Sequence, residues 1–315
     1  MIRFGRLLRQ VLNSLNDVSF LPPPPNVVTK NPSQSSLIVT KPPVAYNFQI
    51  LSNEPLVIIS ESFLDNDSCQ RIICSAQKNG KKWKSVDTDT DIKYELNAFP
   101  VIDTEDSDAQ LLESVYTSID NILGVPRMQD HDVNPKVHHY TTPIKGNQHK
   151  HRFPSGLHVD TNARSRRYAT AILYLSSLDD CEDGNTVFPT AKVDITEDKC
   201  HEKLQNAAVS LLNENILHTD HAIQDNLVRS AEILLNTSGG LSVQPVIGKL
   251  LIFFTRLDNG EVDPYSFHGA ARVRPGQEGS IGKWTLQIFK ELPKGIAKSS
   301  TFIAERRSRL KSLCK

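Results

Sequence analysis

From Pro135 onward the chain is cut into short runs of β-branched and aromatic residues separated by turn residues. The runs are Lys136-Val-His-His-Tyr140, Gly156 to Asp160, Arg167 to Leu175, Thr186-Val-Phe188, Ser242-Val-Gln244, Lys249-Leu-Leu-Ile-Phe-Phe254, Ala270 to Val273 and Lys283 to Lys290. Roughly seven or eight short strands spaced this way predict a double-sheet jelly roll. Upstream, Leu56-Val-Ile-Ile-Ser60 reads as a further strand. Asp65 caps a helix that carries Cys69, Ile72 and Ile73 inward and stops by Gly80. Lys84 to Asp91 reads as polar and turn-like. Leu111, Leu112, Val115, Ile119, Ile122 and Leu123 recur at helical spacing before Gly124 and Pro126. The expected class is therefore α+β but mainly β: a jelly roll (double-stranded β-helix) with helices laid against it. No internal repeat is visible.

The strand pattern is interrupted between about residues 194 and 240. Leu204, Ala208, Leu211, Leu212 and Ile216 give one apolar stripe; Ile223, Leu227, Ala231, Leu234 and Leu235 give a second. This predicts an inserted helical pair, either an external packing element or a surface that shapes a substrate or a dimer. Pro22 to Pro25 and Lys41-Pro-Pro43 frame a polar linker, so three parts are expected. Residues 1–45 form an amphipathic segment and linker, 46–293 the folded domain, and 294–315 a basic tail read as a solvated helix rather than a binding arm. At the N-terminus, Arg3, Arg6 and Arg9 with Phe4, Leu7, Leu8, Val11, Leu12 and Leu15 fit a mitochondrial presequence or an ordinary surface helix equally. A mitochondrial or cytoplasmic place is favoured on these grounds.

Charge and cysteine content narrow the function classes. Lys and Arg together number 36 and so do Asp and Glu, which gives no support to nucleic-acid binding. No stretch is long and apolar enough to span a bilayer. Five cysteines without a CxxC pair argue against a disulfide scaffold and a thiolate zinc site.

On an extended strand, side chains at i and i+2 point to one face. His158-Val159-Asp160 therefore aims an imidazole and a carboxylate at one point, and His268 arrives after a separate strand. Two histidines and a carboxylate that leave other positions open form the ligand set of non-haem iron(II) oxygenases. A single histidine or aspartate on a strand is more often structural, and with ten histidines an HxD can arise by chance.

The ordered set is more specific than its parts. Tyr140, His158-Val-Asp-Thr-Asn162, Arg167-Tyr-Ala-Thr-Ala-Ile-Leu-Tyr-Leu175, Gly184-Asn-Thr-Val-Phe-Pro189, Gly248-Lys-Leu-Leu-Ile-Phe-Phe254, His268 and Lys283-Trp284 follow one another in sequence. Together with Phe63-Leu-Asp-Asn-Asp-Ser-Cys69, this order resembles the catalytic domain of the prolyl 4-hydroxylase type of iron(II)/2-oxoglutarate-dependent dioxygenases, over roughly residues 50 to 292. The resemblance implies that His158, Asp160 and His268 are the catalytic metal ligands. It implies that Lys283 binds the distal carboxylate of 2-oxoglutarate, with Arg272 and Arg274 as competing cations. Tyr174 would help hold that carboxylate, or be a core aromatic with a satisfied hydroxyl, and Tyr140 would lie near the iron end of the cosubstrate. The implied cofactors are Fe(II), 2-oxoglutarate and dioxygen, with ascorbate as reductant. The implied partner is a protein or peptide substrate, most plausibly at proline.

The sequence departs from that pattern at Asp183-Gly184-Asn185, where paired glycines are usual. It also departs in the longer stretches from Tyr140 to His158 and from His268 to Lys283. No secretory signal, C-terminal ER-retention sequence or collagen-type peptide-binding domain accompanies the motifs, so collagen is not the expected substrate. Two other readings stay open at this stage. One is the same cofactor chemistry on another side chain, a nucleobase or a small molecule. The other is an inactive jelly roll serving as an interaction module.

Overall fold

The computed structural model describes residues 46–84, 91–95, 107–125, 136–140, 157–160, 166–178, 184–191, 231–232, 235, 240–273, 282–292 and 300–314. All of them belong to one compact unit, Ala45–Lys315. In chain order the elements are β1 (Phe48–Asn53), β2 (Leu56–Ser60), α1 (Asn66–Asn79), β3 (Lys81–Lys84), β4 (Asp91–Glu95), α2 (Ser107–Leu123), β5 (Lys136–Tyr140), β6 (Arg167–Tyr174), β7 (Thr186–Phe188), β8 (Leu241–Val243) and β9 (Leu250–Phe254). A single 3-10 turn at Pro264–Ser266 precedes β10 (Gly269–Ala270), β11 (Lys283–Glu291) and α3 (Ser300–Ser312).

Eight strands form one sheet in the order β1-β2-β9-β6-β11-β5-β4-β3, and β10-β7-β8 form a second. The ladders are antiparallel. An isolated antiparallel bridge between His158 and His268 adds the 157–160 segment beside β10 in the small sheet. Two antiparallel sheets face each other, as the strand spacing predicts.

Alternation along each central strand divides its side chains between two cores. Leu250, Ile252 and Phe254 of β9 join Leu173, Trp284, Leu286 and Ile288 on the outer face, under Cys69, Ile72 and Ile73 of α1 and Leu112, Val115 and Ile119 of α2. The intervening Leu251 and Phe253 turn inward, with Ile172 and Tyr174 of β6 against Phe188 and Val243 of the small sheet. Each fully buried aliphatic or aromatic side chain contributes about 1.5–3 kcal/mol of transfer free energy. A one-residue slip of β9 would exchange the two sets, so the register is strongly held.

The local signals work as expected where they were read. Asp65 caps α1 by accepting from the Ser68 amide at 2.8 Å, and Gly80 follows its end. Gly124, with φ +67°, ends α2. Three strands were not anticipated. β1 is a half-buried edge strand. β3 (Lys-Lys-Trp-Lys) and β4 (Asp-Ile-Lys-Tyr-Glu) flank the stretch read as turn-like, and both carry the charge typical of strands at a sheet margin. The run from Ala270 to Val273 shrinks to the two residues of β10, and the Gly156–Asp160 strand to the bridge at His158.

The basic stretch read as a solvated tail is corrected by the structure. It forms α3, whose Ile303 and Leu310 are fully buried in the outer core. Arg307, also buried, meets Asp258 at 2.8 Å and the Arg256 carbonyl at 3.0 Å. Positive charge concealed a docking face made of Ile303, Arg307 and Leu310. The N-terminal segment and almost all of the 194–240 insert lie outside the described residues. No described helix is long and apolar enough to cross a membrane.

Candidate functional site

The site is assembled by the small sheet and finished by the large one. His158 donates its amide to the His268 carbonyl at 2.8 Å and accepts the His268 amide at 2.9 Å. The two residues are thus a hydrogen-bonded cross-strand pair, and their rings are 4.6 Å apart between centroids. Leu157 and Val159 are buried to either side of His158, so Asp160 shares its face, as i and i+2 require. His158 Nε2 lies 3.4 Å from Asp160 Oδ1, and His268 Nε2 lies 3.6 Å from Oδ2. One ligand atom from each residue falls within 4.8 Å of the others.

Contacts around the three side chains fix their orientation and charge. His268 Nδ1 lies 2.8 Å from the Ser266 carbonyl, which can only accept; the ring proton therefore belongs on Nδ1 and the Nε2 lone pair faces Asp160. Burial pushes the His268 imidazole down to about 4, with the neighbouring Asp160 carboxylate opposing, so the ring is neutral near pH 7. Burial would by itself raise the Asp160 carboxyl. The His268 and His158 rings and the Thr170 hydroxyl outweigh it and hold the group well below the usual carboxylate range. Thr170 Oγ1 donates to Asp160 Oδ2 at 2.6 Å. Phe253 and Phe188 pack on the His268 ring at 4.6 and 5.5 Å between centroids, while the His158 side chain remains 34% exposed. One flank of the cluster is dry and the other is open.

Two imidazoles and an ionised carboxylate aimed at one point suit a divalent first-row metal. Ligands about 2.0–2.2 Å from such an ion sit roughly 3 Å from one another on one face. The two imidazole-to-carboxylate separations, 3.4 and 3.6 Å, are close to that spacing, and all three ligand atoms lie within 4.8 Å of one another, so the donor set fits. Three positions on the ion would remain for other ligands.

Farther down the inner face lies a second group. β11 pairs Lys283 with Tyr140 of β5, and Thr285 with Tyr174 of β6 and His138 of β5. Lys283 is 2% exposed; its ammonium donates to the Gly184 carbonyl and lies 5.1 and 5.7 Å from the centres of the Tyr140 and Tyr174 rings. Gly184 has φ +63°, and an added Cβ would lie 2.6 Å from Leu178 and 3.2 Å from the lysine stem. That geometry accounts for glycine here even without the paired glycine usual in the motif. Tyr174 is wholly buried, donates to Thr186 Oγ1 at 2.7 Å, and has its phenol pushed up by burial.

No family model matches the chain. Among curated proteins, a probable prolyl 4-hydroxylase 3 of Arabidopsis thaliana is 24% identical over 238 residues, 75% of this chain and 71% of its own length. Prolyl 4-hydroxylase 5 of the same plant is 26% identical over 242 residues, covering 75% of this chain and 70% of its own. The chain is similar to these prolyl 4-hydroxylases over three quarters of its length. Among solved structures, a viral collagen prolyl hydroxylase from Paramecium Bursaria Chlorella virus-1, bound to 2-oxoglutarate, aligns with 76% of this chain and 97% of its own, at 12% identity and a TM-score of 0.39.

His158, Asp160 and His268 come together as the motif order implies, and Lys283 lies beside Tyr174 on the inner face. The β11–β5 register places Tyr140 beside the lysine, because its strand partner is Lys283 itself. Arg272 is half-buried after β10, and Arg274 lies outside the described residues. Four supporting groups went unread: Thr170 behind Asp160, Ser266 behind His268, Gly184 on Lys283 and Thr186 on Tyr174. Thr170 was accessible in principle, since it stands four residues before Tyr174 and so on the same strand face. The Ser266 and Gly184 contacts use main-chain carbonyls, which leave no residue-type signal.

Proposed function

We propose that the chain is an Fe(II)- and 2-oxoglutarate-dependent dioxygenase that hydroxylates a peptidyl residue, proline first among them. The observation that carries this reading is the convergence of His158, Asp160 and His268. His158 Nε2, His268 Nε2 and one Asp160 oxygen would hold the ferrous ion, with Thr170 occupying the other carboxylate oxygen. When bound, iron and 2-oxoglutarate supply the oxidising chemistry: substrate C–H, dioxygen and 2-oxoglutarate give C–OH, succinate and carbon dioxide.

The chain's own groups bind, orient and exclude water. Lys283 pairs with the distal carboxylate, where charge-assisted hydrogen bonds contribute roughly 1.5–3 kcal/mol each. Tyr174, fixed by Thr186, and Tyr140 wall that end of the pocket. Phe188 and Phe253 keep the His268 flank dry, and the Ser266 carbonyl keeps the ring proton on Nδ1, so Nε2 stays available. The exposed flank at His158 is the side from which substrate approaches. In this reading residues 46–293 form the catalytic domain, with 194–240 an insert within its sequence, and ascorbate serves as reductant.

The test is succinate release from 2-oxoglutarate with Fe(II), ascorbate and a proline-rich peptide, alongside mass spectrometry for the gain of about 16 daltons from one oxygen atom. Succinate and hydroxyl should form one to one in wild type and fail together in His158→Ala. Equal turnover in both proteins removes the iron assignment. Oxygen added only away from proline removes the prolyl assignment and leaves the cofactor chemistry standing.

A further inference from the structure

A buried arginine ties the C-terminal helix to the segment that carries His268. Arg307 lies between Ile303 and Leu310 on the docked face of α3, at i+4 and i+7 spacing, and is 8% exposed. An apolar side chain would dock the helix without the cost of stripping water from a guanidinium. Burial of Arg307 therefore points to a task beyond docking, and its planar fork suits one that needs several contacts in fixed geometry.

Those contacts converge on one hairpin. Arg307 Nε meets Asp258 Oδ1 at 2.8 Å, Nη1 donates to the Arg256 carbonyl at 3.0 Å, and Nη1 stands 4.0 Å from Oδ2 of the wholly buried Asp263. Arg256 and Val262 form an antiparallel bridge, so the guanidinium grips both arms. The returning arm leads into the 3-10 turn. Asp263 Oδ1 accepts the Tyr265 amide at 2.9 Å, and the Asp263 carbonyl accepts the Ser266 amide at 3.0 Å and the Ser266 hydroxyl at 2.6 Å. The Ser266 carbonyl in turn lies 2.8 Å from His268 Nδ1. A continuous path thus runs from Arg307 through Asp263 and Ser266 to His268.

Other contacts of His268 do a different job. The bridge to His158 places its backbone, and Phe253 and Phe188 confine its ring, but neither selects the nitrogen that carries the proton. Resting on the metal site proposed above, we infer that Arg307 is a positioning residue for His268. By holding the 256–263 hairpin it fixes the Ser266 carbonyl, which keeps the ring proton on Nδ1 and Nε2 turned to Asp160. The C-terminal helix, which lies beyond the ordered motifs, is in this way a support of the metal site.

Two readouts that need no turnover test this, both taken where circular dichroism shows every variant folded. Calorimetric Mn(II) affinity should fall roughly 3- to 30-fold in Arg307→Met, the range for coupling through a chain of contacts. Leu310→Ala, which loosens the same helix without touching the hairpin, should bind Mn(II) as wild type does. In metal-free protein at pH 7.5, long-range proton–nitrogen correlation of 15N-labelled histidines should show His268, assigned by its loss in His268→Gln, as the Nδ1-protonated form. Arg307→Met should mix in the Nε2-protonated form, and Leu310→Ala should not. If Arg307→Met does not fold, Arg307→Lys carries the same comparison, because one ammonium cannot reproduce the fork, and a smaller loss is expected.

Unchanged Mn(II) affinity and an unchanged His268 tautomer in the Arg307 variant overturn the inference and leave the proposed function intact. Equal losses in Leu310→Ala also overturn it, since docking of α3 alone would then explain them. Wild type that takes up no Mn(II) overturns the proposed function, and the metal-free tautomer comparison still decides whether Arg307 positions the ring.

Discussion

Replacing Thr170 with valine removes one hydroxyl and almost no volume, and the hydroxyl sits 2.6 Å from Asp160 Oδ2 in a buried setting. A hydrogen bond to an ionised acceptor contributes about 1.5–3 kcal/mol, and an uncompensated buried carboxylate forfeits all of it. Two consequences follow from that one figure. Metal-free protein should lose about that much stability, lowering the melting temperature by roughly 3–12 °C for a domain of this size. Divalent-metal affinity should also fall, because Asp160 is no longer turned toward the histidines; the same energy corresponds to roughly 10- to 150-fold, in line with losses of supporting contacts at metal sites. Scanning calorimetry with a chelator present and anaerobic titration with Fe(II) measure the two separately. Thr170→Ser keeps the hydroxyl and should recover most of both. If Thr170→Val melts and binds metal as wild type does, Asp160 is held by something other than this contact and the reasoning is wrong.

Other outcomes test different parts of the account. His268 takes up its proton near pH 6.5 when unfolded but only near 4 when folded, so unfolding binds a proton between those values and stability falls as pH drops through that window. Chelator-treated protein should be about 2–3 kcal/mol less stable at pH 4.5 than at pH 7.5 in denaturant melts, with a smaller difference in His268→Gln; equal differences in the two proteins would contradict a buried neutral ring. Peptide mapping after iodoacetamide should find exposed Cys74 modified and Cys69 intact, because burial raises the Cys69 thiol to about 12. Leu310→Ala in the C-terminal helix should cost roughly 2–5 kcal/mol, whereas a solvated tail would register less than about 0.5 kcal/mol.

The sequence disclosed those features that depend on residue type at fixed spacing. The Asp65 cap, the inward stripe of α1 and the pairing of His158 with Asp160 all follow from local periodicity. The converging position of His268 required the motif order, because the bridge that seats it against His158 is made by main-chain atoms. Register was the least legible quantity: Tyr140 stands beside Lys283 because β5 and β11 pair that way, and no local pattern specifies it. β3 and β4 were hidden by their charge, which suits a sheet margin but reads as loop. The same bias concealed α3, where four residues of Lys and Arg lie among the two side chains, Ile303 and Leu310, that dock it.

Anaerobic Fe(II) titration of wild type against Asp160→Ala, followed by calorimetry, tests the metal centre most directly. One ion should bind per wild-type chain, and the alanine variant should show no specific uptake while keeping its folded circular-dichroism spectrum. Identical stoichiometry and affinity in the two proteins would mean that the convergence of His158, Asp160 and His268 does not hold a metal.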